Sequence, residues 1–171
     1  MASSRNSWQP PPPLVYKLNF DVGTFSNMNC PGFGAIIHNE EGEVMAGMSV
    51  KGPFVHNSAE VEALACRKAV KFSIEASFSR LVIEGDNAMV MNAISCSADN
   101  NSLLGRIFGD IPNLICGLQY ASISCIKRGG NMVAHSLARH ARNISDEMYW
   151  LEDSPPPVMD ALYQDFLHIN E

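Results

Sequence analysis

The hydrophobic and polar positions change period along the chain, and the changes mark its elements. From Val15 to Asp21, Tyr16, Leu18 and Phe20 alternate with Lys17, Asn19 and Asp21, the two-residue period of a strand. Residues 27–32, with Pro31, make a turn. Phe33 to His38 reads as a second strand, Asn39-Glu-Glu-Gly42 as a hairpin turn, and Val44 to Val50 as a third strand. Three strands in a meander begin a mixed sheet. Leu81, Val82 and Ile83 are apolar without alternation, the pattern of a parallel strand covered on both faces. Tyr120 to Ile126 is the fifth strand.

Between the strands the period becomes helical. Asn57 or Ser58 caps a helix to about Ala76, and a short helix runs from about Asn87 to Ser95. Residues 97–101 form a polar loop. An amphipathic helix spans about Leu103 to Leu118, with Pro112 a kink or restart. After the basic turn 127–130, Asn131 caps a helix to about Arg142. Its buried stripe is Val133, Ala134, Leu137, Ala138 and Ala141, with His135, Arg139 and Arg142 on the other side. Pro155-Pro-Pro157 precedes a tail helix, about Val158 to Ile169. These signals divide the chain into a Pro-rich disordered linker (1–14), an α/β domain (15–145) and a Pro-containing tail with a C-terminal helix (146–171). No internal repeat is evident.

Composition narrows the function. A chain of 171 residues suits one domain. Its net charge of −6 is opposite to that of proteins held to nucleic acid by general phosphate attraction, so any such contact is local or metal-mediated. Five scattered cysteines without a C-x-x-C pair argue against a disulfide framework and a zinc site, and for a reducing compartment. No apolar run approaches membrane-spanning length and the N-terminus lacks a signal-peptide core. The expectation is an intracellular protein of nucleus or cytoplasm, not secreted, and a monomer.

The candidate chemistry is acidic. Asp86 follows the buried strand and Gly85, which frees the backbone there, at the carboxyl end where open α/β sheets bind ligands; the plainer reading makes it the N-cap of the next helix. On a wheel of about 100° per residue, Glu60 falls with Arg67, Lys68, Lys71 and Glu75 on a polar face, whereas Glu62 falls among Ala65, Cys66 and Ala69. A carboxylate on an apolar face needs a partner or a task. His38, His56, His140 and His168 show no convergent spacing and read as surface residues.

Six segments in this order carry a resemblance: Lys17-Leu-Asn-Phe-Asp21, Gly34-Ala-Ile-Ile37, Ala59-Glu-Val-Glu62-Ala-Leu-Ala65, Glu84-Gly-Asp86, Lys127-Arg-Gly-Gly-Asn131 and Val133-Ala-His135-Ser-Leu-Ala-Arg139. The chain resembles the ribonuclease H-like superfamily, and within it the reverse-transcriptase-like domains of plant genomes and their non-LTR retroelements. The resemblance implies a three-layer α/β fold, a five-stranded mixed sheet of order 3-2-1-4-5 flanked by helices, with Asp21 and Asp86 on neighbouring strands. It also implies metal-dependent endonucleolytic hydrolysis of the RNA strand in RNA–DNA hybrids. Asp21, Glu62, Asp86 and His135 are the implied catalytic and metal-binding set, for Mg²⁺ with Mn²⁺ as the alternative. By the same resemblance either Asp86 or Asp21 would bridge two ions, and Glu62 would complete one shell and orient water. Lys127, Arg128, Asn131 and Arg139 are the implied nucleic-acid contacts.

The chain departs from the family pattern at several places. His135 stands where relatives typically carry a fourth acid, although histidine is familiar there in the plant-type group. Val22 replaces a glycine after the first aspartate, which would displace the loop over the site. The turn 127–130 holds no histidine, and the loop 97–101 is uncharged except for Asp99. These departures keep a second expectation open, a catalytically weakened ribonuclease H fold that serves as a nucleic-acid or protein-binding module.

Overall fold

A computed structural model describes residues 7–95, 103–145 and 147–169. Strands β1 (Tyr16–Gly23), β2 (Gly32–His38) and β3 (Val44–Lys51) form an antiparallel meander. Helix α1 (Ser58–Glu75) leads to β4 (Arg80–Gly85), which pairs parallel to β1. Helices α2 (Ala88–Ser95) and α3 (Leu103–Cys116) precede β5 (Tyr120–Cys125), parallel to β4. Helix α4 (Met132–His140), strand β6 (Glu147–Leu151) and helix α5 (Met159–Ile169) complete the chain. The sheet order is β5-β4-β1-β2-β3-β6. The expected order is therefore present with a sixth strand outside β3.

The stretch 146–171, read as a Pro-containing tail with a C-terminal helix, also holds this strand. β6 runs antiparallel along β3, with Trp150 opposite Gly47 and Tyr149 opposite Met48. Five residues are too few for periodicity to declare a strand; the open edge of β3 supplies the ladder, and Tyr149 stacks on Phe72 at 5.5 Å between ring centroids.

The two faces of the sheet follow from the pleat. Leu18, Phe20 and Val22 point into the core shared with α1. Lys17, Asn19 and Asp21 point to the face that α4 covers, so the polar half of β1 is buried as well. α4 lies directly on β2. A Cβ on Gly34 would collide with the Ala134 carbonyl and the Ala138 amide, so only glycine admits this approach. The expected stripe Val133, Ala134, Leu137, Ala138 and Ala141 is buried as the pattern required. Helix α3 passes through Pro112 without interruption.

Three other expectations change. The stretch before β1 is not a detached linker in its described part: Trp8 is 3% exposed, and its indole packs 4.5 Å from the His38 ring. His38, read as a surface residue, is therefore buried, and desolvation lowers its pKa to about 3. Gly85 serves packing rather than turning, since its place in β4 leaves room for the Phe20 ring and the Met91 sulfur, which a Cβ would meet at 2.8 and 2.9 Å. Cys30, Cys66, Cys116 and Cys125 are unbridged. Among the described residues no helix is long and apolar enough to cross a membrane. The expected loop 97–101 lies outside the described residues.

Candidate metal centre

The parallel pairing of β1 with β4 ends at the rung Asn19–Glu84. Beyond it the strands part, and the gap is where the acids gather. Asp21 is not at a strand end: β1 continues through Val22 to Gly23, and Asp21 pairs with Gly34 on its other side. Val22 extends the strand and fills the core, so no loop begins there.

Asp86 follows β4 directly. The plainer reading of it as a helix cap fails, because Asn87 takes that position. The Asn87 side-chain oxygen accepts the Val90 N–H at 3.1 Å, and its carbonyl accepts the Met91 N–H at 2.9 Å. Glu62 is delivered by α1, whose start is fixed by Asn57, the cap that accepts the N–H groups of Ala59 and Glu60 at 2.9 and 3.1 Å. Each of Asp21, Glu62 and Asp86 offers a carboxylate oxygen, and these oxygens all lie within 4.8 Å of one another.

Such crowding shows in proton affinity. Burial, then repulsion from Asp21 and Asp86, raises Glu62 to about 8, against a counteracting pull from Arg128. Asp86 is raised by burial and by Asp21, with Arg128 and His135 opposing. Asp21 is raised by burial, although the Val22 N–H, His135 and Arg128 favour its charged form. Burial, joined by mutual repulsion at Glu62 and Asp86, outweighs the pull of Arg128 at all three acids. Hard carboxylate oxygens at this spacing fit a divalent cation such as Mg²⁺ or Mn²⁺.

His135 falls outside this three-acid group. Its Nδ1 lies 2.8 Å from Asp21 Oδ2 and its side chain is 12% exposed, so it is not a free surface histidine but borders the cluster through Asp21. Of the residues expected to contact nucleic acid, Lys127, Arg128 and Arg139 are exposed. Asn131 is not: it is 1% exposed, donates to the Phe20 carbonyl at 3.0 Å and accepts from Asn19. Nor does its side chain cap α4, as the sequence had suggested. Sequence reasoning missed Asn19 and Glu84, which are buried beside the site. The available signal was a polar residue two positions before each aspartate.

The six-stranded sheet, its helices and the acid cluster define a ribonuclease H-like domain. Residues 19–141 match the family described as reverse transcriptase-like, and the chain belongs to that family. No curated protein matches the sequence. Among solved structures, RNase H1 of the halophilic archaeon Halobacterium salinarum superposes with a TM-score of 0.68 at 21% identity, covering 75% of this chain and 98% of that one. The N-terminal RNase H domain of a Mycobacterium tuberculosis protein gives 0.63 at 17% identity, over 89% and 98% of the two chains. LC11-RNase H1, a metagenomic protein from compost whose structure was solved with an RNA/DNA hybrid, gives 0.63 at 16% identity, over 75% and 96%.

Proposed function

We propose that this protein hydrolyses the RNA strand of RNA–DNA hybrids at the Asp21–Glu62–Asp86 centre in a divalent-metal-dependent reaction. The observation that carries the reading is the convergence of three carboxylates from β1, α1 and the end of β4 to within 4.8 Å. These three would hold Mg²⁺, or Mn²⁺ in its place, and the bound metal would supply an activated water and offset charge on the leaving 3′ oxygen. The remaining work falls to the chain itself. Arg128, whose charge acts on all three acids, stands where a phosphate would approach, and exposed Lys127 and Arg139 extend the positive margin. A local margin suits a protein of net charge −6. Similarity in fold to a protein solved with an RNA/DNA hybrid supports the choice of substrate.

One observation favours a second reading, a binding module that has lost turnover: His135 occupies one of the two carboxylate oxygens of Asp21. A labelled RNA–DNA hybrid incubated with the protein and Mg²⁺ or Mn²⁺ separates the two. Cleavage that Asp86→Asn abolishes upholds the hydrolase. Binding of the hybrid without cleavage under either metal would falsify it in favour of the module.

A further inference from the structure

Behind the acids, on the face covered by α4, lies a set of buried polar side chains that the proposed chemistry does not use. Asn19 Nδ2 donates to Glu84 Oε1 at 2.9 Å and to Asn131 Oδ1 at 3.1 Å. Asn131 Nδ2 donates to the Phe20 carbonyl at 3.0 Å. Ser124 Oγ donates to Glu84 Oε2 at 2.8 Å, and the Lys17 ammonium stands 3.5 Å from that oxygen while donating to the Gln9 carbonyl at 2.7 Å. The indole Nε1 of Trp8 closes the set by donating to Asn19 Oδ1 at 2.9 Å. Burying two amides and a carboxylate is unfavourable unless every group is matched, and here the matches run in a connected network.

The places these residues hold in the chain point to what the network does. Asn19 precedes Asp21 by two residues, so the two share one face of β1. Glu84 precedes Asp86 by the same interval. Asn131 lies one helical turn before His135, whose backbone N–H donates to the Asn131 carbonyl at 3.1 Å. Asn19 and Glu84 also form the last rung joining β1 to β4 before the strands part. Each anchor therefore sits a short, rigid step behind one site residue, on three elements far apart in sequence.

We propose that Asn19, Glu84 and Asn131, closed by the Trp8 indole, are positioning residues that set the mutual placement of Asp21, Asp86 and His135. The proposal rests on reading those three as part of a working centre. The network clamps the final common rung of β1 and β4 and ties it to the start of α4. It thereby fixes the point at which the strands bearing the two aspartates part and the distance across which His135 meets Asp21. Partners behind a metal's direct ligands commonly change metal affinity by about 10–100-fold when removed. The segment around Trp8 belongs to the site by this route.

The test uses the full chain with Asn19→Leu, which keeps the branched shape and removes every side-chain polar bond, and Trp8→Phe, which keeps an aromatic ring and removes the indole donor. Ile111→Val, in α3, which carries no residue of the network or of the acid cluster, is the control for lost stability alone. Three quantities are measured well below the melting temperature: the ¹⁵N signal of the His135 ring in metal-free protein, Mn²⁺ affinity by electron paramagnetic resonance, and kcat and KM on the hybrid. In Asn19→Leu the expected results are a displaced His135 signal, Mn²⁺ binding weaker by about 10-fold or more, and a comparable fall in kcat with KM within about twofold. Trp8→Phe shifts all three in the same direction by less, and Ile111→Val shifts none. If both site variants lower the melting temperature yet keep the wild-type His135 signal and Mn²⁺ affinity, the network is structural only and the proposal is overturned. Should the wild type neither bind Mn²⁺ nor cleave, the hydrolytic reading fails, and the His135 signal alone decides the positioning role. If Asn19→Leu does not fold, Trp8→Phe carries the test.

Discussion

Nδ1 of His135 lies 2.8 Å from Oδ2 of Asp21, across 114 residues of sequence. The contact links the first turn of α4 to the middle of β1 and gives the acidic centre a hydrogen-bonding partner that carries no fixed negative charge. An acid at the same place would face Asp21 directly. The variant His135→Asp is therefore expected to lower the melting temperature of metal-free protein by roughly 2–4 °C through added repulsion. The stabilisation on adding Mn²⁺ should grow, because a cation would then meet four carboxylates. Differential scanning fluorimetry with and without Mn²⁺ reads both effects. An unchanged metal-free melting temperature would show that position 135 does not interact with the centre.

Glu62 predicts a pH dependence whose sign is fixed. Its folded-state pKa is raised from 4.5 to about 8, so the native protein retains a proton that the unfolded chain releases between those values. The resulting stability is full below pH 4.5 and is lost as pH rises through about 8. Asp21 and Asp86 are raised as well and act in the same direction. Metal-free protein should melt on the order of 5 °C lower at pH 9 than at pH 5, with Glu62→Gln showing a shallower slope. Equal slopes in the two proteins would remove Glu62 from the cluster.

Gly34 tests how α4 is docked. Gly34→Ala places a methyl group against the backbone of Ala134 and Ala138, which no side-chain rotation relieves. The expected cost is roughly 1–3 kcal/mol in urea unfolding. Displacing α4 also carries His135 away from Asp21, so the Mn²⁺-induced rise in melting temperature should change. A variant as stable as wild type would mean that the helix does not rest on the β2 backbone.

Trp8 distinguishes a packed lead-in from a disordered one. Trp8→Ala removes a buried indole that contacts His38 and hydrogen-bonds Asn19. Urea unfolding should show a loss of about 3–5 kcal/mol. A loss under about 0.5 kcal/mol, typical of surface substitutions, would restore the view of residues before β1 as a linker.

The elements and the acids were legible in the sequence because the signals are local. Alternation marks β1, an unbroken apolar run marks β4, and the helical wheel separates Glu62 from Glu60, all within a few residues of chain. The site's back wall was not legible, for the same reason reversed. Alternation in β1 shows that Lys17, Asn19 and Asp21 share a face, but not that α4 covers it, and a polar strand face reads as solvent-exposed until a second layer is placed on it. Asn131 looked like a helix cap from its place before α4 and like a nucleic-acid contact through the family resemblance; its burial depends on β1 lying beneath it. β6 needed the vacant edge of β3, and Trp8 needed the pocket beside His38. Sequence by itself determined which side chains are available and at what period they recur. Tertiary structure decided which of them meet, because burial and long-range hydrogen bonding are properties of layers brought together and not of any one stretch of chain.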